Sequence, residues 1–271
     1  MRASDFLTGI MEDKRKRVAE ACGRTPLDVV RVEAAEVRRG SRPHALRDAL
    51  GARRGRVNVI AEFKRASPSK GIIRADVRAE EMAQAYDVGG AAAISVLTEQ
   101  DHFRGLLDDL RAVRRTVALP LLRKDFIFDE YQVYEAAAAG ADALLLIVAA
   151  LDDETLRRLR RLTEDELQMD ALVEVHTADE MRRAGECGAS VVGINNRNLS
   201  TFEVSLNVSR ELAAHAPAGA LLVSESGLRN GADLRSLRAD GFHAFLIGES
   251  LMRSGNPADA LRALLDEAEE K

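Results

Sequence analysis

The sequence predicts a single (β/α)₈ barrel preceded by a short helical segment, and three observations support this fold class. Eight short apolar runs alternate with longer amphipathic stretches rich in Arg, Glu and Ala. The runs lack strict apolar–polar alternation, which is typical of parallel strands covered on both faces. Glycines stand just before four of the runs, where a glycine commonly ends a helix.

The segment before the first run has a different character. Apolar residues between Asp5 and Glu20 fall close to helical spacing, and a polar break follows at 38–43. We expect residues 1–48 to form a helical extension that packs on the barrel and residues 49–271 to form the barrel itself. The functional alternative for the extension is a lid over the substrate.

We assign one barrel strand to each apolar run. In chain order the strands are 57–63, 91–97, 117–122, 142–148, 170–175, 189–194, 220–226 and 242–248. The helical stretches between and after them include 80–86, 129–139, 152–167 and 257–268. The four glycines expected to end helices are Gly89, Gly140, Gly188 and Gly241. A doubly wound open sheet is the rival fold, but it usually carries a glycine-rich dinucleotide turn, and no GxGxxG occurs.

Composition and charge narrow the classes of function. The chain has 271 residues, 46% of them hydrophobic, with 39 Lys and Arg against 44 Asp and Glu. The net charge of -5 argues against a nucleic-acid binder. The two cysteines form no disulfide framework, and neither CxxC nor HExxH occurs, so no metal site is predicted. No apolar run approaches the ~20 residues of a membrane helix, so we expect no membrane association and a cytoplasmic protein.

Charged and amide residues stand where several predicted strands end, which is where barrel enzymes collect their chemistry. These residues are Glu62, Lys64, Lys124, Glu174, Asn195 and Glu225. Buried charges are costly unless they are paired, and two lysines can offset three carboxylates at one mouth. A ring of salt bridges that merely closes the barrel is the structural alternative, although apolar residues would close it at lower cost. The same convergence suits acid–base chemistry.

The last two strands carry a second signal. Ser226 and Gly227 follow the seventh strand, and Gly248 and Glu249 follow the eighth. Loops at these positions commonly bind phosphate through backbone N–H groups, and two ordinary tight turns are the alternative. Elsewhere, Phe103 and Phe126 follow the second and third strands, where they wall an aromatic substrate or belong to the core. For His176, two residues after Glu174, we expect a packing or loop role.

Six stretches together resemble the indole-3-glycerol phosphate synthase family over essentially the whole barrel. They are IAEFKRASPS (60–69), PLLRKDFI (120–127), LVEVH (172–176), GINNRNL (193–199), SESG (224–227) and FLIGESLM (245–252). The resemblance implies a substrate, 1-(2-carboxyphenylamino)-1-deoxyribulose 5-phosphate, which is closed to indole-3-glycerol phosphate with loss of CO₂ and water. It implies no metal or organic cofactor. It leaves open a monomer or an association with other enzymes of tryptophan biosynthesis.

The resemblance also implies roles for individual residues. Lys124 would be the general acid that protonates the carbonyl oxygen, Glu174 the base in the dehydration, and Lys64 a group near the substrate carboxylate that shares in proton delivery. Glu62, Asn195 and Glu225 would orient the lysines and the sugar hydroxyls. The binding residues would be Arg197 at the anthranilate carboxylate, Phe103 and Phe126 at the ring, and, around the phosphate, Ser67, Ser226, Gly227, Gly248 and the backbone of Glu249. The Glu249 carboxylate would then have to point away from the phosphate.

An unperturbed lysine is a weak acid near neutral pH, with a pKa of ~10.4. We expect crowding with Lys64, or partial burial, to lower the pKa of Lys124, with the carboxylates opposite limiting that shift. Three alternatives remain at this stage. They are a phosphoribosylanthranilate isomerase, which would need a cysteine at a strand end, a Schiff-base aldolase using Lys64 or Lys124, and a catalytically silent phosphate-binding barrel.

Overall fold

The computed structural model describes residues 3–52, 56–199 and 201–270, without the side chains of residues 3–6 and 52. Met1, Arg2 and Lys271, which the expected segment boundaries include, lie outside the described residues. The strands of the described chain are β1 (Asn58–Phe63), β2 (Ala66–Ser67), β3 (Gly71–Ile72), β4 (Ala93–Leu97), β5 (Leu121–Lys124), β6 (Ala143–Ile147), β7 (Asp170–Val175), β8 (Val191–Asn195), β9 (Leu221–Glu225) and β10 (Ala244–Ile247).

The helices lie between and before these strands. They are α1 (Ala3–Arg24), α2 (Leu27–Arg39), α3 (Ala45–Ala52), α4 (Ala79–Val88), α5 (Leu107–Arg114), α6 (Glu130–Ala138), α7 (Asp153–Arg161), α8 (Ala178–Glu186), α9 (Asn207–Ala213), α10 (Gly231–Ala239), α11 (Glu249–Arg253) and α12 (Pro257–Glu269). The helix expected at 152–167 is α7 followed by a π-helical turn, Leu162–Glu166. Among the described residues, no helix has the length and apolar character needed to cross a bilayer.

Eight of the strands form a closed parallel barrel, which confirms the predicted fold class. The neighbours run in the order β1-β10-β9-β8-β7-β6-β5-β4, and β1 pairs with β4 to close the ring. The two short strands β2 and β3 form an antiparallel hairpin in the loop after β1. Helices cover the outside, so the barrel strands are buried on both faces, as their unbroken apolar sequences predict.

Alternation along the strands sets what the barrel interior contains. Side chains two residues apart point to the same face of a strand. Ile60, Leu122, Leu172 and Val223 belong to the apolar cluster inside the barrel. The residues two positions further along the same strands are Glu62, Lys124, Glu174 and Glu225. The apolar layer therefore supports a charged layer directly above it, at the carboxyl ends of the strands.

The N-terminal helices occupy both ends of the barrel. Leu46 and Leu50 of α3 are buried in the interior cluster, so α3 closes the amino end of the barrel. In contrast, Leu7 and Ile10 of α1 line the cavity at the opposite end. Two helices of this segment, α3 and α1, therefore lie at opposite ends of the barrel. The boundary expected at residue 48 falls inside α3.

The four glycines expected at helix ends differ in backbone geometry. Gly140, Gly188 and Gly241 have positive φ of 85°, 80° and 98° and follow the ends of their helices as expected. At the end of α4, however, Gly89 keeps helical geometry with φ of -71°, and the left-handed residue is Gly90, with φ of 92°. Gly89 is therefore the C-cap of α4, as expected, and Gly90 makes the left-handed turn that follows it.

Candidate active site

A cavity of about 680 Å³ opens at the carboxyl ends of the barrel strands. Its wall contains every residue that the sequence analysis placed at the site: Glu62, Lys64, Ser67, Phe103, Lys124, Phe126, Glu174, Asn195, Arg197, Glu225, Ser226, Gly227, Gly248 and Glu249. The ends of parallel strands meet at one rim, which is why residues far apart in sequence meet here. Of the described residues, neither Cys22 nor Cys187 is in this wall.

The ammonium group of Lys124 lies between two carboxylates on the floor of the cavity. Its Nζ is 2.8 Å from Glu174 Oε2 and 2.8 Å from Glu225 Oε2. Lys124 is the last residue of β5, and Glu174 and Glu225 lie at the ends of β7 and β9. Glu174 and Glu225 are almost fully buried and Lys124 keeps 12% of its side chain exposed, so water screens these charges only weakly.

The pKa of Lys124 shifts in the direction opposite to the one expected. Burial by itself acts to lower this pKa, but the charges of Glu174 and Glu225 outweigh it and raise the pKa above the ordinary 10.5. The expectation of a lowered pKa was therefore wrong. The sign of the pKa shift depends on the distances from Lys124 Nζ to the two carboxylates, and the sequence alone does not give those distances. Lys124 is fully protonated in the resting site.

The two carboxylates beside Lys124 differ from each other. Burial acts to raise the pKa of Glu174, but the charges of Lys124 and His176 outweigh it and lower the pKa to about 2. For Glu225, burial and the proximity of Glu174 outweigh the attraction of Lys124 and raise the pKa to about 7. Glu225 Oε1 is buried and has no hydrogen-bond partner among the described residues. One carboxylate is therefore a stable anion, and the other readily takes up a proton.

A second lysine–carboxylate pair lies at the end of β1. Lys64 Nζ is 2.5 Å from Glu62 Oε1, and Lys64 keeps 19% of its side chain exposed toward the cavity. Gly248, at the end of β10, makes room for this pair, since a Cβ there would lie 2.6 Å from Glu62 Oε1. Glu62 can therefore occupy its position only because residue 248 has no side chain.

Glu174 is held from two further directions. Asn195 Nδ2 donates a hydrogen bond to Glu174 Oε1 at 3.3 Å, and His176 Nε2 lies 3.4 Å from the same oxygen. On its other side, His176 Nδ1 lies 3.2 Å from Glu180 Oε2. Burial acts to lower the pKa of His176, but hydrogen bonding to Glu180 and the nearby carboxylates outweigh it and raise the pKa above 6.5. His176 therefore contacts the site, although only a packing or loop role was expected.

An aromatic wall stands beside the charged floor. The ring centroids of Phe103 and Phe126 are 6.2 Å apart, with an angle of 42° between the ring planes. Arg197 also lines the cavity. Its main-chain N–H donates to Asn195 Oδ1 at 3.0 Å, and its guanidinium donates to the carbonyl of Phe202 at 3.2 Å. The cavity wall therefore contains two aromatic rings and the Arg197 cation.

The rim just after β9 contains two consecutive residues with left-handed backbone geometry. Ser226 and Gly227 both have positive φ, 68° and 82°. A Cβ on Gly227 would lie 2.5 Å from a methyl group of Val204, so only glycine fits. The side chain of Glu249 is paired with two cations, at 3.2 Å from Arg253 and 3.9 Å from Lys70.

Several wall residues were missed from the sequence. Three of them are basic residues at the rim, Lys70, Arg229 and Arg253. The apolar ones include Leu7, Ile10, Leu199 and Phe202. Lys70 directly follows the first long motif, which ends at Ser69. Its position in the sequence could therefore have identified it as a wall residue. The α1 residues gave none, because nothing in the local sequence shows which helix face meets the barrel mouth.

The closed parallel barrel, with lysines and carboxylates paired at its strand ends, places the chain in the (β/α)₈ class of proteins. The sequence profile described as indole-3-glycerol phosphate synthase matches residues 7–264. A protein of that name from Carboxydothermus hydrogenoformans is 47% identical over 263 residues, covering 96% of this chain and 99% of that one. Another from Polaromonas sp. strain JS666 is 48% identical over 266 residues, covering 96% and 98%.

The chain belongs to the indole-3-glycerol phosphate synthase family. Membership confirms the resemblance seen in the motifs, and with it the predicted enzyme class, a carboxy-lyase of tryptophan biosynthesis. Among solved structures, a thiamine phosphate pyrophosphorylase from Pyrococcus furiosus aligns with a TM-score of 0.60 at 17% identity, over 83% of this chain and 98% of that one. At this identity, the similarity concerns the fold alone.

Proposed function

We propose that the cavity converts 1-(2-carboxyphenylamino)-1-deoxyribulose 5-phosphate into indole-3-glycerol phosphate, with release of CO₂ and water. The observation that carries this proposal is the buried ammonium group of Lys124, 2.8 Å from each of two carboxylates with opposite pKa shifts. The overall conversion needs a group that donates a proton to the carbonyl oxygen during ring closure and a group that removes a proton from carbon during dehydration. The ligand of the proposed reaction is a small phosphorylated molecule. We propose the cytoplasm as the compartment in which the protein acts.

Binding would place the three parts of this substrate on three parts of the wall. The phosphate would lie at Ser67, Ser226, Gly227, Gly248 and the backbone of Glu249. Because the phosphate lies far from the reacting carbons, its contacts with the protein would supply binding energy that holds those carbons in place. The anthranilate ring would lie against Phe103 and Phe126, with Arg197 near its carboxylate. Lys70 and Arg253 add positive charge at the rim, which favours a dianionic phosphate.

In the first chemical step, the ring carbon that bears the carboxylate attacks the ribulose carbonyl carbon. Lys124 gives its proton to the carbonyl oxygen, and the electrons of the departing carboxylate restore the aromatic ring as CO₂ leaves. The raised pKa keeps the acid form populated at neutral pH, and the developing alkoxide is basic enough to accept the proton. Neutral Lys124 would then lie between two carboxylates, an arrangement that favours rapid reprotonation.

In the second step, the new hydroxyl group leaves as water. Glu174 takes the proton from the neighbouring carbon, and Lys64 supplies the proton that the leaving hydroxyl needs. Glu174 can return its proton to Lys124 across the 2.8 Å contact. Two protons are donated and one is recovered, so each turnover consumes one proton from solvent. Glu62, Asn195 and Glu225 would orient the two lysines and the sugar hydroxyls.

The contacts of Lys124 disfavour it as the nucleophile of a Schiff-base aldolase. A lysine nucleophile must be neutral, which requires a lowered pKa, whereas Lys124 is paired with two carboxylates that raise its pKa. The direct test uses the purified chain and the carboxyphenylamino-deoxyribulose phosphate. Because the chain contains no Trp, indole fluorescence would come from product alone. We expect fluorescence to appear without added metal, and its absence under folding conditions would contradict the proposal.

A further inference from the structure

The helix α1 is attached to the barrel mouth by a buried charge. Leu7, Ile10 and Lys14 lie three and four residues apart and therefore share one face of the helix. Leu7 and Ile10 line the cavity. Lys14 follows one turn further along, and it is only 7% exposed although it is a lysine on an N-terminal helix. A buried lysine requires a partner of opposite charge.

That partner is Asp125, the residue directly after the proposed general acid. Lys14 Nζ lies 2.6 Å from Asp125 Oδ1 and 2.7 Å from Oδ2, and Asp125 is 1% exposed. The carboxylate also accepts hydrogen bonds from Thr98 Oγ1 at 2.7 Å and from the main-chain N–H of Phe126 at 2.8 Å. Asp125 thus connects α1 to the backbone that carries both Lys124 and Phe126.

The charges around Asp125 balance only when Lys14 is present. Arg123 Nη2 lies 3.1 Å from Asp125 and 2.7 Å from Glu135, so its single charge is shared between two carboxylates. Lys14 and Arg123 together neutralise Asp125 and Glu135. Removing Lys14 would leave an uncompensated negative charge in the interior, which is far costlier than the loss of a surface pair.

The other ion pairs between α1 and the barrel are more exposed than the Lys14–Asp125 pair. Arg17 pairs with Asp101, but about half of the Arg17 side chain is exposed. Asp13 lies 3.8 Å from His102, and about half of the Asp13 side chain is exposed. Lys16, two residues after Lys14, is 72% exposed and pairs with Asp13 in its own helix. Exposed pairs of this kind contribute little. Lys16 therefore provides a matched control, with the same residue type on the same helix but without the contact to the barrel.

We propose that Lys14 is a positioning residue, whose ion pair with Asp125 holds α1 over the mouth and fixes the segment Lys124–Phe126 relative to the apolar wall. The kinetic part of this inference rests on the proposed function, whereas the attachment of α1 does not. Loss of the pair would loosen the wall formed by Leu7 and Ile10 and misplace the acid. Misplacement of about 1 Å costs about 10²-fold in rate.

The experiment compares Lys14→Met with Lys16→Met in the full chain. Two readouts are measured, the steady-state constants for ring closure and the rate at which trypsin cuts at Arg15 and Arg17. For K14M we expect cleavage to accelerate and KM to rise, each about tenfold, with a fall in kcat; K16M should match the wild type. The substitution Asp125→Asn should impair ring closure less in K14M than in the wild type. In K14M it removes a carboxylate charge that has lost its lysine partner.

Each outcome bears on the inference. Equal cleavage rates in K14M and K16M would overturn the attachment of α1. Faster cleavage with unchanged kinetic constants would overturn the positioning role. If K14M does not fold, Lys14→Arg decides, since the retained charge should preserve protection of α1. If the wild type closes no ring, the proposed function fails, yet the cleavage comparison still tests the ion pair.

Discussion

Glu225 and Glu174 bind the same ammonium group of Lys124 at equal distances of 2.8 Å, yet their pKa values are shifted in opposite directions. Glu174 has additional stabilisation from His176 and Asn195. Glu225 instead has a buried oxygen without a hydrogen-bond partner among the described residues. In the resting site Glu174 is ionised, whereas Glu225 takes up a proton near neutral pH. This difference determines how stability and activity should depend on pH.

Replacing Glu225 with Gln should change the pH dependence of stability. Because burial raises the pKa of Glu225 to about 7, the folded protein binds a proton between pH 4.5 and 7 that the unfolded chain has released. Stability is therefore lost as the pH rises through this window, by at most ~1.4 kcal/mol per pH unit. Thermal unfolding of Glu225→Gln between pH 5 and 8 should show a smaller loss than the wild type. Parallel curves would contradict the shift.

Replacing Glu174 with Gln should separate the two chemical steps. Gln cannot take a proton from carbon, so we expect kcat to fall by ~10²–10⁴. Ring closure itself would depend on Lys124, and mass spectrometry after a single turnover should detect a ring-closed species heavier than product by one water. A Glu186→Gln variant, on exposed helix surface, provides the control. Direct release of dehydrated product by Glu174→Gln at the wild-type rate would exclude this base.

Replacing His176 with Gln should shift the acidic limb of the kcat/KM profile toward neutral pH. The charge of His176 helps to hold the pKa of Glu174 low, so its removal should raise that pKa. We expect Glu180→Gln to shift the limb in the same direction by a smaller amount, since Glu180 raises the pKa of His176. Profiles identical to that of the wild type would show that His176 only fills space.

The basic rim should affect binding and leave the chemistry unchanged. Lys70 and Arg253 line the cavity with about half of each side chain exposed, so each contributes modestly. Lys70→Met and Arg253→Met should each raise KM about threefold to tenfold with little change in kcat, and added salt should reduce the difference. Arg262→Met, on the outer helix α12, should have no effect. A fall in kcat alone would place these residues in a different role.

The sequence predicted the barrel and the charged mouth for a single physical reason. Parallel strands end at a common rim, so residues such as Lys124 and Glu225 must approach each other whatever lies between them. It did not predict the pair of Lys14 and Asp125, whose members are 111 residues apart and meet only because α1 docks in one orientation. The predicted sign of the Lys124 pKa shift was wrong, because the sign depends on the 2.8 Å distances from Lys124 Nζ to Glu174 and Glu225.

The most direct measurement of the central claim is the rate of ring closure by Lys124→Met, followed by indole fluorescence and compared with the wild type and Lys16→Met. Met retains the aliphatic volume and removes the ammonium group. Because two buried carboxylates then lose their partner, circular dichroism and thermal unfolding are used to select conditions under which the variant is folded. The account predicts a loss in kcat of ~10²–10⁴ for Lys124→Met and none for the control. Turnover by folded Lys124→Met at the wild-type rate would contradict it.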